Sequence, residues 1–198
     1  MDRARILELA ASGHRFPIGT DLVLREEPDH EGIINDGFRL GQVVAKAARR
    51  FRTPLAIPLM DLTIEKSQLL ASLGIKESDR DTFHFSSCPT ESDIAAVQHG
   101  FDKPLTTRMT AGIEAVRYVA TQSDLTACGM VIGPFSLMTK LLEDPISLVY
   151  VAASGASAQE DPDVQMLETI FEMSTCVIEA SVRAQLAAGA KIIVVAEP

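Results

Sequence analysis

Several absences limit what this 198-residue chain can be. No apolar run reaches the roughly 18 residues that a membrane-spanning helix needs. Only three cysteines are present, Cys88, Cys128 and Cys176, and none belongs to a CxxC pair. Neither a disulfide framework nor a cysteine-rich zinc site is therefore expected within the chain, and reduced thiols in a cytoplasmic protein are the expectation. The glycine fingerprint of a dinucleotide-binding fold and the Walker loop are also missing.

Positive charge is scarce as well. Against 27 Asp and Glu there are 18 Lys and Arg, which gives a net charge of −9. Nucleic-acid binding normally needs a basic face, so a nucleic acid is not an expected partner. Apolar residues at 46% and charged residues at 23% are typical of a globular protein and exclude a disordered or collagen-like chain.

Helical and apolar segments alternate along the chain. Helical spacing predicts helices over residues 2–12, 37–50, 63–73, 91–98, 104–122, 135–143, 146–153 and 162–189. Apolar runs predict strands over residues 53–60, 125–132 and 191–196, with a further extended segment at 16–21 and loops at 25–30 and 76–91. This alternation is typical of a parallel α/β fold, and the missing glycine fingerprint favours a barrel over a doubly wound sheet.

Polar side chains follow three of the predicted extended segments. In α/β barrels the functional groups lie at the C-terminal ends of strands, and Asp21 with Thr20, Asp61 with Thr63, and Glu197 are predicted to lie there. Asp61 is the strongest candidate because it follows an almost continuous apolar run. Two alternatives stay open: Asp61 could cap the following helix, and Glu197 could be a solvated terminal residue.

Metal ligands and cations are less informative. The four histidines form no HxxxH or HxH pair, so the sequence predicts no metal site built from this chain alone. Lys140 lies in the helix that follows the Gly133-Pro134 turn. It would either reach an anionic ligand at the strand end or be an ordinary solvated lysine.

Three segments, in order, carry a resemblance to a known family. Residues 133–138, Gly-Pro-Phe-Ser-Leu-Met, are similar to the Gly/Ala-Pro-Trp/Phe-Thr-Leu-Met/Ala motif of the uroporphyrinogen decarboxylase superfamily. Residues 59–63, Leu-Met-Asp-Leu-Thr, resemble that family's strand-end Phe-Ser-Asp-Ile-Leu segment. Residues 188–191, Ala-Gly-Ala-Lys, resemble its Ala-Gly-Ala-Asp strand entry. Together the three motifs cover most of the chain.

The resemblance implies a fold and a set of roles. The fold would be a (β/α)8 barrel of the TIM type, with residues 1–198 forming a single partial barrel domain from its N-terminal half. Asp61 matches the family aspartate, and Lys140 occupies the position of the decarboxylase tyrosine. The roles that follow are catalytic for Asp61 and Glu197, and substrate-binding for Asp21, Thr63, Phe135 and Lys140.

The superfamily divides into two functional branches. Its decarboxylases hold a tetrapyrrole carrying many carboxylates with an N-terminal arginine-rich motif, and residues 18–25 contain no equivalent. The sequence therefore favours the methyltransferase branch, which moves a methyl group between a small methylated compound or thiol and a corrinoid (cobalamin) on a partner protein. Zinc ligands of that branch would lie beyond residue 198. A tetrapyrrole decarboxylase is the alternative, and a non-catalytic ligand-binding or accessory subunit is the second.

The number of predicted strands is small for a barrel. A complete barrel takes roughly 250 residues and eight strands, and about four strand candidates occur here. An uncovered edge strand at 191–196 would expose unpaired backbone groups. We therefore expect a fragment of a longer chain, with a self-associating half-barrel or pairing with a missing C-terminal half as the alternatives.

Overall fold

The computed structural model describes residues 3–13 and 18–197. Its helices are α1 Arg3–Ala11, α2 Thr20–Leu24, α3 His30–Ile33, α4 Gly37–Arg50, α5 Ile64–Ser72, α6 Glu91–Gln98, α7 Thr107–Gln122, α8 Pro134–Thr139, α9 Pro145–Ala153 and α10 Pro162–Ala187, with 3-10 turns at Glu77–Asp79 and Gly100–Asp102. Its strands are β1 Leu55–Ala56, β2 Thr126–Ile132 and β3 Ile192–Ala196. None of the helices in these ranges is long and apolar enough to cross a membrane.

The three strands form one parallel sheet in the order β1-β2-β3. Leu55 pairs with Thr126 and Ala56 with Ala127. On the other side of β2, the Lys191 amide donates to the Ala127 carbonyl at 2.9 Å, where β3 begins. The α/β class with a parallel sheet is therefore confirmed, whereas closure into a barrel stays a prediction.

Two of the predicted extended segments are wrong in detail. The strand predicted over residues 53–60 is reduced to Leu55–Ala56. Pro58 has no N–H to donate, which stops the ladder soon after it begins. In the segment predicted at 16–21, residues 16 and 17 lie outside the described residues, and Thr20 opens α2. Asp21 therefore lies in the first turn of a helix and not after a strand.

Two further bounds differ from the predictions. The helix predicted over residues 135–143 is α8, which begins at Pro134 and ends at Thr139. Beyond it, Leu142 forms a parallel bridge with Phe85, inside the region predicted to be a loop. The other predicted helices lie close to α1, α4, α5, α6, α7, α9 and α10, because their apolar periodicity is clear. The short helices α2 and α3 were not predicted.

The chain divides into two compact units, so the single-domain assignment stays a prediction. Unit 1 comprises residues 1–61, 107–130 and 182–194. Its helical core is built mainly by α2, α3, α4 and α7, with Val23, Leu24, Ile33, Leu40, Val43, Ala47 and Ala115 buried together. Gly41 permits close packing of α4 on α7, because an added Cβ would lie 2.6 Å from the Tyr118 Cβ.

A second cluster in unit 1 lies on the sheet. Ile57, Cys128 and Met130 are buried there against Leu55, Ile192 and Val194. The buried amide of Gln185, on α10, completes this region: its Oε1 accepts from the Met130 N–H at 2.9 Å and its Nε2 donates to the Met130 carbonyl at 3.0 Å. Both backbone groups are thus satisfied by one side chain.

Unit 2 comprises residues 62–106, 131–181 and 195–198. Its fully buried side chains are mostly large aliphatic ones, among them Leu69, Leu70, Leu137, Met138, Leu141, Leu142, Ile170 and Met173. Two of its buried polar side chains form hydrogen bonds between elements. The Ser181 hydroxyl donates to Glu65 at 3.1 Å, and the Gln68 side chain accepts from the Thr106 amide at 2.9 Å.

Candidate functional site

Asp61 lies in unit 1, five residues beyond the end of β1, and it is held by an arginine. The Arg108 guanidinium donates to Asp61 Oδ2 at 2.5 Å, and its other terminal nitrogen donates to the Ile34 carbonyl. Only 21% of the arginine side chain and 23% of the aspartate side chain are exposed. The contact therefore joins the segment after β1 to the first turn of α7 in a partly desolvated, charge-assisted pair.

The helix-cap alternative for Asp61 is weakened by this geometry. The N-cap residue of α5 is Thr63, two positions further along the chain. The Asp61 carboxylate is instead bound by a cation that lies 47 positions away in the sequence. The sequence predicted Asp61 directly after a strand, whereas β1 ends five residues earlier, and the sequence analysis did not identify Arg108 as its partner.

One signal could have revealed Arg108. It lies at the second position of α7, where the helix dipole is positive and disfavours a cation. An arginine at such a position needs an acceptor from elsewhere to offset the unfavourable dipole. A cation in the first turn of a helix is thus a reason to search for a distant carboxylate.

The side chains of Thr20 and Asp21 have different environments and contacts. The Thr20 side chain is buried, and its hydroxyl donates to the Ile57 carbonyl at 2.6 Å, just beyond β1. Asp21 is about half exposed and pairs with Arg25 at 2.9 Å along α2. The geometry gives Thr20 a structural role beside the Asp61 segment. A substrate-binding role for Asp21 stays a prediction.

Glu197 in unit 2 binds the start of α8. Its two carboxylate oxygens accept from the amides of Phe135 at 2.9 Å and Ser136 at 3.0 Å. Gly133 leaves room for this carboxylate, which a Cβ at that position would strike. Glu197 is exposed yet ordered by these two bonds, so it is not simply a solvated residue. Its predicted catalytic role is untested, and its visible role is to cap α8.

The other two predicted residues of the Gly-Pro motif lie on or beside α8. Lys140 is exposed at the C-cap of the helix. Phe135 is 39% exposed and borders a concave apolar groove of about 460 Å³. The rest of that groove is formed by Thr139, Pro145, Ile146, Val149, Tyr150 and Ala153. Unit 2 therefore brings Glu197, Phe135 and Lys140 to one short helix, whereas Thr63 lies at the start of α5.

A buried lysine in unit 2 was not predicted. Lys66 is 8% exposed, and its Nζ donates to the Asp81 carbonyl at 3.1 Å. Burial lowers the pKa of this amine; the carboxylate of Asp81 opposes that shift and the charge of Lys140 adds to it. The sequence offers a faint signal, since Lys66 falls on the same side of α5 as the buried Leu69 and Leu70.

The described residues do not fit a zinc site. Within residues 3–13 and 18–197, no group of three or more His, Cys, Asp or Glu side chains could hold a metal ion. Desolvation raises the pKa of the Cys128 thiol to about 12, so this buried cysteine stays protonated and is a poor metal ligand at neutral pH. Burial also raises the pKa of Cys176, with Glu172 and Glu179 adding to the effect.

The parallel sheet, with helices between its strands along the chain, defines an α/β protein. Within that class, the sequence profile of the family described as Uroporphyrinogen decarboxylase (URO-D) matches residues 22–197. The chain therefore belongs to the uroporphyrinogen decarboxylase family, which confirms the family predicted from the three motifs. A comparison with curated proteins gave no match.

Proposed function

We propose that this chain belongs to the corrinoid-dependent methyltransferase branch of its family, whose members include both decarboxylases and methyltransferases. The observation that carries the proposal is the ion pairing of Lys and Arg side chains in unit 1. Six of them are ion-paired with acidic side chains: Arg25–Asp21, Arg39–Asp29, Lys46–Glu27, Arg49–Asp124, Arg50–Glu26 and Arg108–Asp61.

Paired cations are poorly suited to a substrate that carries many carboxylates. Such a substrate needs arginines whose guanidinium groups are available for bidentate contacts. At these six positions, a substrate carboxylate would have to displace a protein carboxylate from its cation and would then lie beside it. Like charges in contact repel each other, and the net charge of −9 adds to the repulsion. A methylated small compound does not meet this obstacle.

In this proposal Asp61 contacts the methylated compound or thiol, and Arg108 holds the carboxylate in place. Glu197 orders the start of α8, and through it the position of Phe135. Thr63, Asp21 and Lys140 remain candidate substrate contacts. The corrinoid acts as the methyl-carrying co-substrate on a partner protein. Any zinc ligands would lie beyond residue 198, so no step is assigned to zinc here.

The proposal is tested by assaying methyl transfer between methylcobalamin and a small thiol. The rate is measured from the absorbance change that accompanies demethylation of the cobalamin. We expect the wild-type protein to accelerate the transfer and Asp61→Ala to lower kcat/KM by about 100-fold, because a site carboxylate is lost. Asp124→Ala removes an exposed acid from another ion pair and is the matched control, with little expected change. Melting temperatures of both variants separate activity from folding.

Three outcomes would contradict the proposal. A large loss of melting temperature for Asp61→Ala, with unchanged activity per folded molecule, would return Asp61 to a structural role. Decarboxylation of a porphyrinogen without methylcobalamin turnover would favour the decarboxylase. Binding of neither methylcobalamin nor a porphyrinogen would favour the non-catalytic accessory subunit.

A further inference from the structure

The apolar groove beside Phe135 lies between two short helices of unit 2, α8 and α9. None of the nine residues of α9 is buried. Ile146 is 81% exposed and Tyr150 is 75% exposed, and no other large apolar side chain among the described residues is more than 62% exposed. Two such side chains one helical turn apart form an apolar surface that is costly to leave in water.

The spacing of the residues that line the groove is that of a helix-docking surface. On α9 they occupy positions i, i+3, i+4 and i+7, which share one face of the helix: Ile146, Val149, Tyr150 and Ala153. On α8, Phe135 and Thr139 form the opposite wall and are also one helical turn apart. A groove with such walls accepts the apolar face of another helix.

The charge distribution indicates which helix that is. Neither α8 nor α9 carries a charged side chain, whereas every other helix in the described part of the chain carries at least one. Two copies of a chain with a net charge of −9 repel each other over most of their surfaces. They can therefore approach each other at the lowest electrostatic cost with the α8–α9 groove of one copy facing that of the other.

We propose that a second copy of this chain docks in this groove, with α9 of each copy inserting Ile146 and Tyr150 into the groove of the other. In this two-fold arrangement each copy supplies both the groove and the side chains that fill it. A two-fold axis perpendicular to α9 makes the two α9 helices antiparallel. The positive end of each helix dipole then lies beside the negative end of the other, which stabilises the pair.

The size of the surface predicts a weak association. The exposed parts of Ile146, Tyr150 and Phe135 amount to roughly 400 Å² per copy, or roughly 800 Å² for the two copies. Stable interfaces bury about 1,200–2,000 Å² in total, and smaller ones belong to weak or transient complexes. We therefore expect the dimer to dissociate with a Kd of about 10–100 µM.

The test is sedimentation velocity of the 198-residue chain at concentrations below and above this Kd. We expect the wild-type protein to pass from monomer to dimer, and Tyr150→Glu to raise the Kd by about tenfold or more, because it buries a carboxylate in an apolar contact. Leu22→Glu is the matched control: it places the same charge at a 62% exposed leucine in unit 1 and should leave the Kd unchanged. Circular dichroism confirms that each variant is folded.

A second variant and a mixing experiment keep the test decisive. Ile146→Glu should weaken the dimer as Tyr150→Glu does, and it replaces that variant if Tyr150→Glu does not fold. An equimolar mixture of Tyr150→Glu and Tyr150→Lys should associate more tightly than either variant alone, since opposite charges then meet between the two copies.

Three results would overturn the inference. One is a wild-type protein that stays monomeric at every concentration, which would leave the groove to a different partner. Another is a dimer that neither Tyr150→Glu nor Ile146→Glu weakens. The third is a mixture of the Glu and Lys variants that associates no better than its components. None of these measurements involves methyl transfer, so this inference and the proposed function can fail independently.

Discussion

Gln185 illustrates how one side chain can complete a sheet. Its amide occupies the buried space beside Gly129 and bonds both backbone groups of Met130. A Cβ at position 129 would lie 2.4 Å from the Gln185 amide oxygen and compete for that space. A glutamine on a helix and a glycine in a strand are therefore required together, although 56 positions separate them in the sequence.

Replacing this amide should be costly. We expect Gln185→Leu to lower the free energy of unfolding by about 2–4 kcal/mol, because it leaves a buried N–H and a buried carbonyl without partners. Gln165→Leu is the control, since Gln165 is an exposed glutamine on the same helix, and its effect should stay within about 0.5 kcal/mol. Urea unfolding of the two variants checks the prediction. Equal midpoints would show that Met130 does not depend on the amide.

At the scale of secondary structure, the start of α8 depends on an acid from beyond β3. Glu197 supplies two acceptors to amides that a helix start leaves without intrahelical partners. The same carboxylate is a predicted catalytic residue, so capping and catalysis must be separated by experiment. Its exposure makes a stability effect small, and a large effect on activity would be informative.

We expect Glu197→Gln to lower the free energy of unfolding by about 0.5–1 kcal/mol, because the amide keeps one acceptor and loses the charge that favours a helix start. Gly133→Ala should displace the same carboxylate, since its Cβ would clash with the Glu197 side chain. Glu143→Gln, an exposed acid in the same unit, is the control. Thermal unfolding measures all three. A catalytic role predicts in addition a loss of activity in Glu197→Gln far larger than its loss of stability.

Elements were easier to predict from the sequence than the contacts between them. Helix α4 is predictable because Asp36 caps it and its apolar stripe is regular, and the capping bond to Arg39 is present at 3.0 Å. Strand β1 was overestimated because the whole apolar run was predicted as one strand, although Pro58 within it has no N–H to donate to the hydrogen-bond ladder.

The candidate site was only half predictable for a similar reason. The position of Asp61 follows from the local pattern of an apolar run and an acid, and local patterns are visible in one sequence. Its partner Arg108 lies far along the chain, and Glu197 reaches α8 across 61 positions. Long-range pairs of this kind are determined by the fold. A single sequence therefore identifies the residue types but not which residues are in contact.

At the scale of the whole molecule, the two compact units are joined by several shared elements. The chain passes from one unit to the other five times, at residues 61/62, 106/107, 130/131, 181/182 and 194/195. Helix α10 is continuous across one of these points, and β2 and β3 across two others. Because helix formation is cooperative, unfolding of one part of α10 destabilises the rest of the same helix in the other unit.

We therefore expect the two units to unfold in a single transition. The chain contains no tryptophan, so one introduced tryptophan reports on one unit. Tyr118→Trp probes unit 1 and Phe83→Trp probes unit 2; both positions are half-buried and in edge-to-face contact with a phenylalanine, which makes the probes matched. Urea unfolding followed by fluorescence should give coincident midpoints and slopes for the two variants, equal to those from circular dichroism. Separate midpoints would mean that α10 breaks near Ser181 while one unit stays folded, and each unit would then be an independent domain.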